Sequence, residues 1–283
     1  FQTATTLTSG IVINTDTGAG TVAFSSTLDS AANAASTLEI TAGIGSIDFD
    51  GAVGAATNGA LGAVTINSAA NVTADLAFSA ASLRQKAGSG TTTFTGALDT
   101  TAAAGILVDG TNFDFNSTVS LTLGDLDIDA DGTVRFNGLV TTSDVDSGLV
   151  TITNGGELTI AATGDMDLKG AFLQDGAAVV STAGDITTTN DNVTFQTATT
   201  LTGGVVINTD TGAGTVAFNS TLKSAASVAN TLEITAGSGN VDFDSTVGAG
   251  SNRELGLVTI NSAGVIDTDG TFEAAGLDWT AVT

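Results

Sequence analysis

The sequence lacks several residue types on which common sites depend. Its 283 residues include no Cys, no His, no Pro and no Tyr. Without His or Cys, the usual nucleophile–base pairs and the His or thiolate metal centres are excluded. Paired carboxylates remain possible, because β-helix enzymes that cleave polysaccharides work with Asp or Glu. We nevertheless expect that the chain is not an enzyme, and we assign no catalytic residue.

Positive charge is also scarce. The chain has 6 Lys and Arg against 30 Asp and Glu, for a net charge of −24. Nucleic-acid phosphate and anionic lipid surfaces repel such a chain, so we expect no nucleic-acid partner. No apolar run approaches the roughly 18 residues that cross a bilayer, so we expect no membrane span. Hydrophobic residues make up 42% of the chain and are evenly spread, which favours folding over disorder.

The chain contains a long internal repeat. Residues 1–69 return at residues 195–263 without a gap and with about three-quarters identity, at a constant offset of 194. The division is therefore 1–194 as the first long repeat and 195–283 as a partial second copy, in one continuous solenoid. We expect the chain to lie within a longer precursor, since it begins without Met.

A shorter motif recurs inside the long repeat. An aromatic residue or Leu is followed two places later by a small residue, and after two more by an aliphatic residue or Phe. Examples are Phe24-Ser26-Leu28, Phe49-Gly51-Val53, Phe94-Gly96-Leu98, Phe115-Ser117-Val119, Phe136-Gly138-Val140 and Leu168-Gly170-Phe172, with looser versions at Phe1 and Phe78. A spacing of two is the strand period, so each motif is predicted to be one strand with these residues on one face. Eight motif starts in one long repeat predict a coil of about 24 residues.

These patterns predict an all-β fold, a right-handed parallel β-helix or β-solenoid with about 24 residues per coil. Winding is favoured over hairpins because it stacks equivalent phenylalanines on one another. The alternative is a series of tandem β-sandwich adhesin domains. Sandwich domains of about 100 residues would give a shorter long-range repeat than the one present.

Two phrases carry a resemblance to a known class of protein, 18–28 (GAGTVAFSSTL) and 45–54 (GSIDFDGAVG). They look like the repeats of giant bacterial surface proteins, the filamentous-haemagglutinin-like and autotransporter-associated β-strand repeat proteins. The resemblance extends over essentially the whole chain. It implies a right-handed β-helix, export to the cell surface and an adhesive, matrix or filament role. It carries over no catalytic residue.

One acidic run is a candidate calcium site. Asp125, Asp127, Asp129 and Asp131 alternate with Leu126, Ile128 and Ala130. The run matches the opening of a Ca²⁺ loop, but Gly138 stands where the bidentate Glu is needed. On a strand, the four Asp would project outward as a carboxylate row, which Asp144/Asp146 and Asp165/Asp167 could extend from neighbouring coils. No cofactor is required and Ca²⁺ is possible; the alternative is a solvated acidic face that confers solubility.

The expected function is that of a structural or adhesive extracellular fibre, located outside the cell or on a bacterial cell surface. An open solenoid end exposes unpaired strand groups, so we expect self-association end to end or pairing with neighbouring copies of the repeat. Other cells or surface polysaccharide are further possible partners. A carbohydrate-binding or carbohydrate-cleaving β-helix is the alternative, although Arg84, Lys86 and the other basic residues show no grouping with the acids in the sequence.

Overall fold

The computed structural model describes residues 1–15, 18–144 and 147–279. All regular structure in these residues is β: 33 short strands and no helix. No helix long and apolar enough to cross a membrane is present in them. The strands pair in parallel with strands about 22 residues away and build a β-solenoid of about 12 turns. The predicted fold class is confirmed, with a coil slightly shorter than the 24 residues expected.

The solenoid has three faces, and each turn contributes a strand to them in chain order. We call them the first, second and third face. The first face contains Val22–Phe24, Ile47–Phe49, Val72–Ala74, Thr91–Phe94, Asn112–Phe115, Val134–Phe136, Leu158–Ile160, Val180–Thr182, Thr199–Leu201 and Leu222–Ser224. The second contains Thr5–Leu7, Leu28–Ser30, Leu98–Thr100, Val119–Leu121, Val140–Thr142, Met166–Asp167, Ile186–Thr187, Val205–Asn208, Leu232–Thr235, Leu255–Ser262 and Ala274–Trp279.

The third face contains Ile11–Asn14, Leu38–Thr41, Leu61–Ser68, Ile106–Gly110, Leu126–Ala130, Val150–Asn154, Phe172–Gln174, Val193–Phe195, Val216–Phe218, Val241–Phe243 and Ile266–Thr268. The long strand Phe78–Gln85 belongs to two faces: its first residues pair on the second face and its last on the third. The coil is still predicted to be right-handed, because parallel crossover connections are right-handed as a rule.

Alternation along each strand separates the core from the surface. In the strand Val22–Phe24, Val22 and Phe24 are buried and Ala23 is half-buried, and most other strands repeat this pattern. β-branched residues suit such a pleated, half-buried position. The buried hydrophobic residues form one cluster that runs from Leu7 to Ala263 and so includes both copies of the long repeat.

Phenylalanine side chains stack along the interior, as the winding prediction requires. The ring centroids of Phe24 and Phe49 are 5.5 Å apart with an interplanar angle of 7°. Phe115 and Phe136 stack at 5.1 Å, and Phe195 and Phe218 at 5.2 Å. Stacked aromatic pairs at these separations add about 0.5–1.5 kcal/mol each to the energy of burial. Adjacent coils therefore place Phe side chains directly on one another in the core.

The short motif is a corner of the coil, and the prediction that it is one strand was wrong. Phe24 ends a strand of the first face, whereas Leu28 begins a strand of the second. The small residue between them lies where the chain bends and adjacent coils come close. At Gly96, for example, a Cβ atom would lie 2.2 Å from the backbone carbonyl carbon of Leu76.

Two motif starts are not equivalent to the others. Phe78 begins a strand of the second face, in register with Val53 and Leu98, so it occupies the aliphatic position of the motif. Leu168 is buried just after the strand Met166–Asp167, and Phe172 begins a strand of the third face. They are therefore not equivalent starts, because a Phe can lie on either side of a corner.

Candidate functional site

An acidic strand lies on the third face. In Leu126–Ala130, Leu126, Ile128 and Ala130 are buried, while Asp127 and Asp129 are exposed. The predicted inward and outward directions in this strand are confirmed. Successive side chains of a strand point to opposite faces, so the two carboxylates lie on the same side of the sheet.

The other two residues of the predicted calcium set lie outside this strand. Asp131 follows it and is exposed. Asp125 precedes it, and its Oδ1 accepts hydrogen bonds from the Ser147 hydroxyl and, at 2.9 Å, from the backbone N–H of Leu149. Asp125 therefore ties two adjacent coils together. Among the described residues, no three acidic side chains form a group that could hold a metal ion. Calcium binding by the set stays a prediction.

The neighbouring acidic pairs also make contacts between coils. Asp144 Oδ2 accepts a hydrogen bond from the backbone N–H of Gly124 at 3.0 Å. Asp165 Oδ1 accepts one from the N–H of Asp185 at 2.9 Å. Asp146 lies outside the described residues. Carboxylates that bond backbone N–H groups at coil corners stabilise the stacking, which is a structural role that the sequence pattern did not reveal.

Asp109 is a further member of the acidic surface that sequence reasoning missed. It lies directly opposite Asp129 on the neighbouring strand. Burial, and then the charges of Asp129 and Asp131, raise the pKa of Asp109 above its ordinary value. Burial also raises the pKa of Asp127, followed by the charges of Asp129, Asp125 and Asp175. Like charges opposite one another in a sheet are destabilising, so this surface favours a proton or a bound cationic group.

A surface recess of about 280 Å³ joins these acids to two cationic side chains. Its lining includes Arg84, Lys86 and Leu107 together with Asp109, Asp127 and Asp129. Arg84 pairs in register with Leu107, which pairs with Asp127 on the next coil. Residues 20 or more positions apart are thus brought together by stacking, and no spacing in the sequence signals it.

The cationic groups of the recess are not neutralised by its acids. Within the described part of the chain, the one ion pair closer than 4.0 Å is Arg135–Asp114, at 3.9 Å on another face. Lys86 Nζ instead donates a hydrogen bond to Asn67 Oδ1 at 2.7 Å. Arg84 and Lys86 therefore present donors beside a row of carboxylate acceptors, an arrangement that suits a neutral ligand rich in hydroxyl groups, which both donate and accept hydrogen bonds.

A second cavity lies at the end of the core. It has a volume of about 380 Å³ and is lined by Phe243, Ile260, Ile266, Phe272, Leu277 and Trp279, among others. In the first copy, the next coil covers the equivalent surface: Phe94 lies on Ala74, and Leu98 lies on Phe78. Trp279 is 58% exposed here. The cavity thus lies against the last described coils of the solenoid core.

Comparisons with known proteins identify no relative: no family model, no curated protein and no solved structure matches this chain. Of the properties that the predicted family implies, the structure shows the β-solenoid architecture.

Proposed function

We propose that this chain is a segment of an extracellular rod with a structural or adhesive role at a bacterial cell surface, and that it is not an enzyme. The observation that supports this most is the continuity of the parallel strand ladders through both copies of the long repeat. Each coil contacts only its neighbours, so added repeats lengthen the molecule without changing its cross-section.

The charge of the chain suits a rod that stays separate from its neighbours. A net charge of −24 keeps identical rods apart in solution and weakens unspecific adhesion to anionic surfaces. Salt screens this repulsion over about 8–10 Å at physiological ionic strength. We therefore propose that rods contact one another through the open strand edges at their ends before they contact along their charged sides.

Both ends expose apolar core groups. At one end Phe1 is 57% exposed, and at the other Leu277 is 49% and Trp279 58% exposed. The outer edge of a terminal strand presents unpaired backbone groups, which readily pair with another chain. We propose that the cavity at Trp279 is closed by a coil of a second molecule.

Sedimentation velocity over a range of protein concentrations tests this end-to-end association. The double variant Leu277→Lys/Trp279→Lys places charge on the exposed end, whereas Leu139→Lys/Val179→Lys changes two side chains that are exposed on the sides of the rod. We expect the wild-type chain and the side variant to form larger species as concentration rises, and the end variant to stay monomeric. Equal behaviour of all three proteins would contradict end-to-end association.

Carbohydrate binding at the recess on the third face is a second candidate function, because Arg84 and Lys86 lie there beside Asp109, Asp127 and Asp129. A neutral oligosaccharide titrated into the chain by calorimetry tests it. We expect Arg84→Ala/Lys86→Ala to abolish binding and the matched variant Arg135→Ala, on another face, to keep it. Absence of binding to the wild-type chain would leave the rod as the sole function.

A further inference from the structure

The two copies of the long repeat lie on different faces of the solenoid. Val22–Phe24 belongs to the first face, but the equivalent strand Val216–Phe218 belongs to the third. Leu28–Ser30 lies on the second face, and its equivalent Leu222–Ser224 lies on the first.

A strand of the third face is displaced in the same way. Leu38–Thr41 lies on the third face, and the equivalent Leu232–Thr235 lies on the second. All three shifts have the same direction, so the second copy as a whole is displaced by one face relative to the first.

The register of the strands gives the reason. Starting at Val22, the first face is reached again at residues 47, 72, 92, 113, 134, 158, 180 and 199, which is eight full turns. Val216, the equivalent of Val22, lies two faces beyond Thr199. One long repeat therefore makes eight and two-thirds turns. At about 4.8 Å per turn, this corresponds to a rise of roughly 42 Å.

We infer that a tandem array of this repeat presents each of its surfaces on three sides of the rod in succession, so that partners that bind one repeat are held on three sides. Three repeats bring a surface back to the same side, about 125 Å further along the axis. A repeat of whole turns would instead align every copy of a surface along one side. The inference rests on the proposed rod and specifies how that rod connects its partners.

The fractional turn decides which kind of partner the rod fits. A rigid partner that spans consecutive repeats along a straight line meets a different surface at each step. A partner that contacts a single repeat meets its surface once per repeat, each time one third of a turn further around. The array therefore suits many small, separate partners around its circumference and acts as a connector in three directions.

The 283-residue chain itself allows the test, because it has no Cys and single labels can be placed at will. Asp48 and its equivalent Asp242 project outward from the first and third faces. Lys223 lies on the first face in the same register column as Asp48, eight turns away. The pairs Asp48→Cys/Asp242→Cys and Asp48→Cys/Lys223→Cys thus have nearly equal axial separations and nearly equal intrinsic twist.

Cryo-electron microscopy of both pairs carrying gold clusters measures the direction of each label around the axis. We expect the angle around the axis between the Asp48 and Asp242 labels to differ by one third of a turn from the angle between the Asp48 and Lys223 labels. Ala23→Cys/Ala217→Cys, a second equivalent pair on the same two faces, repeats the measurement should a labelled aspartate variant fail to fold. Equal angles for the two pairs would overturn the inference while leaving the rod intact, whereas compact particles would overturn the proposed rod.

An extended array tests the display of partners directly. The chain is lengthened with its own residues 90–194 and then with whole copies of residues 1–194, and each copy carries one biotinylated Cys at the Asp48 position. Monovalent streptavidin is the probe. We expect it on three sides, with a same-side spacing of about 125 Å. A single line of streptavidin spaced at about 42 Å would contradict the three-sided display.

Discussion

Ala74 and Phe78 exchange the side-chain sizes that neighbouring coils have at the same two positions. In register, Ala74 lies between Phe49 and Phe94, and Phe78 lies in the aliphatic column with Leu98. The Phe78 ring meets Phe49 edge-on at 5.5 Å and 80°, and Phe94 at 5.7 Å and 87°. The second copy repeats the exchange with Thr268 and Phe272, which meets Phe243 at 5.5 Å and 80°. In each copy, one Phe ring thus fills the space that a ring at the small-residue position would occupy, and it does so from the other side of the corner.

This exchange predicts that the two positions are coupled. Ala74→Phe alone adds a second ring to filled space and should lower the free energy of unfolding by about 1–3 kcal/mol. Phe78→Val alone leaves a cavity and should lower it by on the order of 3 kcal/mol. The double variant restores the pattern of the neighbouring coils and should approach wild-type stability. Urea unfolding of the four proteins measures the coupling, and a double variant as unstable as the sum of the single ones would refute it.

Thr100 carries a buried hydroxyl without a partner. Of the described residues, it is the one with a buried side-chain polar atom that makes no hydrogen bond, and it is 1% exposed. Thr100→Val removes that polar group at nearly constant shape, and we expect the free energy of unfolding to rise by about 1 kcal/mol.

Thr92 provides the matched control. It is also buried, but its Oγ1 donates to Gln85 Oε1 at 2.8 Å. Thr92→Val should therefore destabilise the chain by about 1–3 kcal/mol, because the Gln85 oxygen loses its donor. If Thr100→Val were as destabilising as Thr92→Val, the Thr100 hydroxyl would have a partner in solution.

Stability should increase as pH falls from neutrality. Burial raises the pKa of Asp99, and burial together with the charges of Asp50 and Asp75 raises that of Asp48. The folded chain then binds more protons than the unfolded chain at pH values between the ordinary 3.8 and the raised pKa. Stability is therefore gained as pH falls through the raised pKa, and the gain is complete below about 3.8.

Thermal unfolding between pH 7 and about pH 3.5 measures this gain, and two variants separate its causes. Asp99→Asn should stabilise the chain at pH 7 to the same extent at low and high salt, because burial is the cause of the raised pKa. Asp48→Asn should stabilise it more at low salt, where repulsion from Asp50 and Asp75 is less screened. A melting temperature that falls steadily from pH 7 to pH 5 would contradict this account.

Calcium binding at Asp125, Asp127, Asp129 and Asp131 is testable by calorimetric titration of Ca²⁺. If the set binds calcium, Asp127→Asn/Asp129→Asn should abolish the binding heat and the accompanying rise in melting temperature. The control Asp48→Asn/Asp50→Asn removes the same charge from another face and should retain both. Equal losses in the two variants would show general screening of an acidic surface and no specific site.

Much of the fold was predictable because burial in a coil alternates residue by residue. Asp127 and Asp129 were correctly placed outside and Leu126 and Ile128 inside from the strand period alone. The corners were not predictable, since a Phe can end one face, as Phe24 does, or begin the next, as Phe78 does.

The recess was out of reach for a related reason. Arg84, Leu107 and Asp127 form one column only because the intervening coils have particular lengths. Coil length varies with the loops at the corners, and no residue of the column indicates its register. The fractional turn of the long repeat was hidden in the same way, since an offset of 194 residues is compatible with whole or fractional turns.

The central claim is that added repeats extend a rod of constant cross-section, and small-angle X-ray scattering of the chain and of versions lengthened by one and two repeats tests it most directly. We predict a rod about 58 Å long for the 12 turns of the chain, which grows by about 42 Å with each added repeat at a constant cross-sectional radius. A cross-sectional radius that increases with repeat number, or scattering from compact globular particles, would contradict the account.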